Sequence, residues 1–475
     1  MKQQSVAPLY EVLTSFASSK PVSFHVPGHK SGTIFPELGR DVYKDVLSID
    51  VTELTGLDDL HAAEGVIEQA QQLAADYFGS DQTFFLVGGS TVGNLAMILA
   101  TCSAGDKVIV QRNCHKSIMH GLELSGVQPI FVAPVYDDSL GRYTAPDIEG
   151  VVQALAENRD SKALILTYPD YFGRTYPIKT LITNAHEYGI PVLVDEAHAV
   201  HFSISEDFPT SSLELGADVV VQSAHKMAPA MTMASFLHSK SSLVSSTQLA
   251  YYLQMLQSSS PSYPILASLD LTRYFLVNLS SEEVVKIIDS ASQLRRSLER
   301  STNWSVVPFI SGLDDPLKVT IEAHQGTNGH QLAKLFERYG IYPELSTHKQ
   351  VLFIHGLSTF DDWKHWNNAL EHINDQLKLS TYHDTIEEVN VEQEPIVALH
   401  FSYQEMKNKA RQFLIWNDVL GHVAAEAIVP YPPGIPVVLK GEKITSRHIK
   451  VIKYLVTQGT NFQNKNIEQG TKVFV

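Results

Sequence analysis

The chain has 475 residues, 44% hydrophobic and 19% charged, and at about 150 residues per domain this length calls for two or three domains with sizeable cores. Lys and Arg number 36 against 52 Asp and Glu, a net charge of −16, so no basic surface is available for a phosphate backbone and a nucleic-acid partner is not expected. The two cysteines, Cys102 and Cys114, make no disulfide framework and fit a reducing compartment. Residues 1–16 lack the basic, apolar and small-residue succession of a secretory signal. No run approaches the roughly 18 apolar residues of a membrane helix. The expectation is a cytoplasmic protein without a membrane segment.

The first thirty residues end in Phe24-His25-Val26-Pro27-Gly28-His29-Lys30, a turn-rich arm. Between 64 and 78, Val66, Ile67, Ala70, Leu73, Ala74 and Tyr77 recur at helical spacing. Short β-rich runs follow at 83–87, 107–111, 129–132, 163–167, 191–195 and 218–222, with helix-sized stretches between them. Several are apolar throughout, as strands of a largely parallel sheet buried on both faces are, which points to an α/β architecture. A helical pattern over 280–300 leads into a second unit, roughly 300–378, where strand-like 318–322 and 351–355 flank a helix near 330–339. The polar, acidic stretch 380–394 reads as a linker. A last segment runs from Pro395 and contains Tyr431-Pro432-Pro433-Gly434-Ile435-Pro436.

Chemistry-bearing residues gather at strand ends. The run Phe84-Phe85-Leu86-Val87-Gly88-Gly89-Ser90-Thr91 brings a strand into glycines and hydroxyls and then a helix, whose N-terminus offers N–H groups to an anion. Pro191-Val192-Leu193-Val194-Asp195-Glu196-Ala197-His198 delivers a carboxylate to the end of an apolar strand, where ligands bind in open α/β sheets. Val219-Val220-Val221-Gln222-Ser223-Ala224-His225-Lys226 ends in a serine, a histidine and a lysine that can attack an aldehyde. A fourth strand end, Arg112-Asn113-Cys114-His115-Lys116-Ser117, offers His115 for stacking or proton transfer. Alone, each has a plain structural reading: an N-capped glycine turn, an ion pair, a surface lysine, a loop histidine. Together, an anion cradle, a carboxylate to match a pyridinium and a Schiff-base lysine are what pyridoxal phosphate requires. His198, His201 and His225 lack the spacing of a structural zinc site, so no metal is expected. Gly88–Thr91 lacks the Gly-Lys-Ser/Thr of a nucleotide loop.

These segments resemble the ornithine/lysine/arginine decarboxylases of the aspartate-aminotransferase-like fold (fold type I). The likeness also covers His25–Lys30, Gly56-Leu57-Asp58-Asp59-Leu60-His61, Ser260-Pro261-Ser262-Tyr263, Ala267-Ser268-Leu269-Asp270, and Tyr431–Pro436 with Gly441-Glu442. It is to the shorter bacterial members, without a receiver-like N-terminal wing domain. The resemblance implies an N-terminal arm (1–30), a large cofactor-binding domain with a mostly parallel seven-stranded sheet (31–278), a smaller α/β domain (279–378) and a C-terminal α+β domain (379–475). It also implies roles: Lys226 holds pyridoxal phosphate covalently, Asp195 pairs with the pyridine nitrogen, and His115 stacks on the ring with Ala197 on the opposite face. Gly89, Ser90, Thr91, Ser223 and His225 hold the phosphate, and His198 lies nearby. Lys226 or His115 returns the proton after decarboxylation. Ser259 or Ser260 reaches the partner's site in a homodimer or higher oligomer. Glu442 is expected to face the basic side chain of the substrate, with arginine favoured over lysine and ornithine. Transamination, or cofactor binding without turnover, are the competing expectations. The sequence departs from the family's usual residues at Gly88 (asparagine), Asp170 (threonine), Ala199 (glycine), Ala224 (threonine or valine), His422 (arginine) and along Met227–Met233. None of these is a cofactor anchor.

Overall fold

The computed structural model describes residues 4–324, 326–379, 394–430 and 436–475. The expected linker, apart from Glu394, and residues 431–435 of the proline-rich motif lie outside them. In chain order, the principal elements are α1 (Pro8–Ser18), α2 (Val66–Phe78), β1 (Gln82–Leu86), α3 (Gly89–Thr101), β2 (Lys107–Gln111), α4 (Lys116–Ser125), β3 (Gln128–Val132), β4 (Ala163–Thr167), β5 (Val192–Asp195), β6 (Val219–Gln222), α5 (Ala224–Met227), β7 (Ser235–Ser239), α6 (Tyr263–Asn278) and β8 (Ile396–Ala398). The chain divides into two compact units, one formed by Met1–Thr101, Ile178–Glu206 and Thr210–Ser280, the other by Cys102–Pro177, Asp207–Pro209 and Ser281–Val475.

In the first unit, β5 and β6 run parallel and β7 lies antiparallel between β6 and β1. Every residue of β5 and β6 is buried, and their valines suit strands covered on both faces. Helix α3 packs closely where it carries Gly93, since a Cβ there would stand 2.8 Å from both Leu86 Cδ1 and Val221 Cγ1. The arm is more ordered than its turn-rich sequence suggests, because residues 8–18 form α1 with Pro8 in the first turn. Asp270 of α6 caps it, accepting from Leu9 N at 3.0 Å. Asp270 is itself paired at 2.8 Å with Arg273, which donates to the Gln4 and Val6 carbonyls. The Gly56–His61 motif is also a cap: Asp58 accepts from Gly65 and Ile67 N–H groups at 2.8 and 2.9 Å at the start of α2. Burial works to raise the Asp58 carboxyl, but its backbone N–H bonds hold it below the usual range.

In the second unit, β2 lies parallel to both β3 and β4, and β8 adds antiparallel to the outer edge of β3. Among the described residues the two units supply eight such strands where seven are expected. The eighth comes from the C-terminal segment and covers an otherwise open edge. A separate antiparallel sheet takes the order Trp304–Val306, Lys318–Ala323, Gln350–Ile354, Leu345–Ser346. Its core is built on Trp304, Phe336, Phe353 and Trp366. The C-terminal segment forms a three-stranded sheet with helix Ser446–Thr457, around Trp416, Ile428, Ile452 and Val473. Among the described residues no helix is long and apolar enough to cross a membrane.

Candidate active site

The first unit brings most of the expected residues together. Asp195 ends β5 and is 3% exposed. Its Oδ2 accepts from Asn94 Nδ2 at 2.9 Å and its Oδ1 from Ala197 N at 3.2 Å. Both donors are neutral, and among the described residues no cation pairs with this buried carboxylate. Such a group favours a positively charged partner. Ser223, just past β6, hydrogen-bonds through its hydroxyl to that of Ser90, which also meets Ser235 Oγ at 3.3 Å. Three hydroxyls thus converge beside the first turn of α3, whose N–H groups have no acceptors within the helix. Gly89 opens that helix with φ +74° and donates to the Met233 carbonyl at 2.8 Å. His225 is fixed by its own Nδ1, which donates to the Ala234 carbonyl at 2.9 Å. Lys226, half-buried on α5, places Nζ 3.1 Å from Nε2 of the buried His198.

Thr91, Ser259 and Ser260, in the same unit, take no part in the hydrogen bonds just described. Thr91 is exposed on the first turn of α3, and Ser259 and Ser260 are exposed beyond the helix Ser246–Leu256. His115 belongs to the second unit, where it caps α4: Nδ1 accepts from Ser117 N and lies 2.8 Å from Ser117 Oγ.

Glu442, expected to face the substrate's basic side chain, also lies in the second unit. It is 7% exposed, and its Oε2 accepts from Arg112 Nη2 and from Leu439 N, each at 2.8 Å. His448 lies 3.9 Å from the other oxygen. The carboxylate is thus paired with an internal arginine.

Sequence reasoning missed Asn94 and Ser235. Asn94 lies one helical turn from Ser90 on the same face, and a buried asparagine in an otherwise apolar helix is the signal that could have found it. The departures have local explanations. Space beside Gly88 is filled by Val92, whose Cγ2 would stand 2.5 Å from a Cβ at 88. Ala199 and Ala224 are fully buried. Asp170 is matched by Arg142 at 3.6 Å, and His422 is exposed.

The profile of the Orn/Lys/Arg decarboxylase major domain matches residues 7–313, and that of the family's C-terminal domain matches residues 383–465. The chain belongs to the Orn/Lys/Arg decarboxylase family. It is 41% identical over 464 residues to the uncharacterized Bacillus subtilis protein YaaO, covering 96% of this chain and 95% of that one. It is 36% identical over 460 residues to a Bacillus subtilis arginine decarboxylase, covering 94% and 93%. Among solved structures, the lysine decarboxylase of Francisella novicida superposes with a TM-score of 0.81 at 20% identity, over 99% of this chain and 81% of its own. The fold is that of pyridoxal-phosphate enzymes of fold type I. As a member of this family the protein is a pyridoxal-phosphate-dependent decarboxylase. Its first unit fits the cofactor: the hydroxyl cluster at the N-terminus of α3 suits a phosphate, and Asp195 lacks a cation that a pyridinium would supply.

Proposed function

We propose that the protein decarboxylates a basic amino acid, arginine in preference to lysine or ornithine, and that the amine serves polyamine metabolism. The observation that carries this reading is the convergence of Asp195, the Ser90–Ser223–Ser235 hydroxyls and the Lys226–His198 pair within one unit. The full-length similarity to a protein named arginine decarboxylase supports the preference.

When bound, pyridoxal phosphate supplies an electron sink for the bond broken at the substrate's α-carbon. In this reading Lys226 holds the cofactor through its amine, and Asp195 keeps the pyridine nitrogen protonated. Ser90, Thr91, Ser223 and His225, with the α3 N–H groups beyond Gly89, bind the phosphate. Ala197 and His115 flank the ring. His198 exchanges a proton with Lys226 Nζ, and Lys226 or His115 delivers the proton to the α-carbon after CO₂ leaves. Orientation of the α-carboxylate selects decarboxylation over transamination. The domain limits given above, a cytoplasmic location, and a homodimer in which Ser259 or Ser260 reaches the partner's site complete the proposal.

The test is mass spectrometry of products after incubating cofactor-loaded protein with arginine, lysine or ornithine separately. Agmatine as the dominant amine is the expected result, and cadaverine or putrescine in excess would reassign the substrate. A keto acid without amine would indicate transamination, and no product from any substrate would overturn the reading.

A further inference from the structure

Behind Asp195 lies a buried hydrogen-bond relay with no part in the chemistry described above. Glu196, fully buried, accepts from Ser212 N at 2.6 Å on Oε1, and from Ser211 Oγ at 2.9 Å and Gln222 Nε2 at 2.6 Å on Oε2. Gln222 Oε1 meets His238 Nε2 at 3.1 Å, His238 Nδ1 meets Thr83 Oγ1 at 2.8 Å, and Thr83 Oγ1 meets Ser80 Oγ at 2.8 Å. The relay crosses β6, β7 and β1, and Thr83 and His238 are direct partners in the β1–β7 ladder.

Its polarity is forced. A carboxylate only accepts, so Gln222 turns its amide nitrogen to Glu196 and its oxygen to His238. His238 then donates from Nε2, and its Nδ1 accepts from the Thr83 hydroxyl. Glu196 directly follows Asp195, and Gln222 directly precedes Ser223. One side-chain bond therefore ties the neighbour of the carboxylate to the neighbour of the hydroxyl cluster, supplementing the backbone bond from Glu196 N to Val221 O at 2.9 Å. We infer that Glu196 is a positioning residue, which through Gln222 sets the spacing between Asp195 and the Ser223–Lys226 turn and so preorganises the cofactor site. This rests on the proposed cofactor roles of Asp195, Ser223 and Lys226.

Glu196→Gln tests it with little change of shape. The backbone N–H of Ser212 cannot reverse, so the new amide oxygen must stay on Ser212 and its nitrogen must face Gln222. Gln222 then flips, and the His238 proton moves from Nε2 to Nδ1. Nitrogen NMR of the full chain labelled in histidine reads this directly, above the value of about 7 to which burial pushes the Glu196 carboxyl. Absorbance titration with pyridoxal phosphate should show about tenfold weaker binding, the usual scale for losing an outer-shell partner. Thr83→Val cuts the far end while leaving the Glu196–Gln222 bond. It should keep the His238 tautomer and lose no more than about twofold in affinity. The inference is overturned if Glu196→Gln leaves the His238 proton on Nε2 or binds cofactor as tightly as the parent, or if Thr83→Val weakens binding as much. A parent protein that takes up no cofactor would instead overturn the functional reading, and the positioning role with it, whatever the tautomer shows.

Discussion

The amine of Lys226 lies 3.1 Å from Nε2 of His198, three residues past β5 in one case and four past β6 in the other. Adjacent parallel strands thus present a nucleophile and a group able to exchange its proton. Lys226→Ala should abolish covalent cofactor attachment, seen as loss of label on borohydride reduction. His198→Asn should retain the attachment and lower kcat by about a hundredfold with little change in KM, the lower end for a removed acid–base partner. Steady-state kinetics beside a reduced-peptide map check both, and an unchanged kcat for His198→Asn would remove it from proton transfer.

How much of this site the sequence displayed depended on chain locality. Asp195, Ser223 and Lys226 sit where apolar runs stop, and an apolar run ending in polar residues marks a strand end without reference to the rest of the fold. The partners of those residues are distant: Asn94 is 101 positions from Asp195, and Ser235 is 145 from Ser90. Strand β7, Ser235-Phe236-Leu237-His238-Ser239, is buried at every position yet carries two serines and a histidine. His238 bonds across the sheet to Thr83 and Gln222, and Ser235 meets Ser90 of α3, pairings that composition does not reveal. The partner of Glu442 was hidden for the same reason, since Arg112 is 330 residues away. Asp58 and Asp270 were recognised within motifs, but their capping work becomes visible only when α2 and α1 are placed against them.

The buried relay has a distinctive pH signature. Burial raises Glu196 from 4.5 to about 7 and lowers His238 from 6.5 to about 3. For Glu196 the folded state binds the extra proton, so its contribution is full below 4.5 and lost as pH rises through 7. For His238 the folded state binds fewer protons, so its contribution is full above 6.5 and lost as pH falls toward 3. Between 4.5 and 6.5 the two slopes oppose and nearly cancel. Glu196→Gln removes one of them. As pH rises from 4.5 to 7, the variant should therefore gain on the parent by up to about 1.4 kcal/mol per pH unit. Urea unfolding across this range measures the difference, and a constant offset between the two proteins would contradict it.

The buried Asp270–Arg273 pair should dominate the stability of the N-terminal region. Both side chains are fully buried, and burial pushes the Asp270 carboxyl upward against the opposing pull of Arg273 and the α1 N–H groups. Asp270→Ala strands the guanidinium and uncaps α1. It should cost about 3–5 kcal/mol, the range for breaking one side of a buried pair, and should expose residues 4–18 to limited proteolysis. Proteolysis unchanged from the parent would show that α1 holds without its cap.

Glu442 separates two readings of the C-terminal segment. A substrate-facing carboxylate would lose affinity selectively for substrates with a basic side chain when changed to glutamine. The structure instead has Glu442 bonded to Arg112, three residues before His115, with Arg112 also donating to the Val437 carbonyl at 3.1 Å. Glu442→Gln keeps the shape but removes the charge that balances a buried arginine, so stability should fall by about 1–3 kcal/mol. Because no substrate contact is lost, kcat/KM for arginine, lysine and ornithine should change by a common factor and their ranking should stay. Competition assays with mixed substrates, beside urea unfolding of the same protein, decide between the two. A selective loss for one amino acid at unchanged stability would return Glu442 to the substrate.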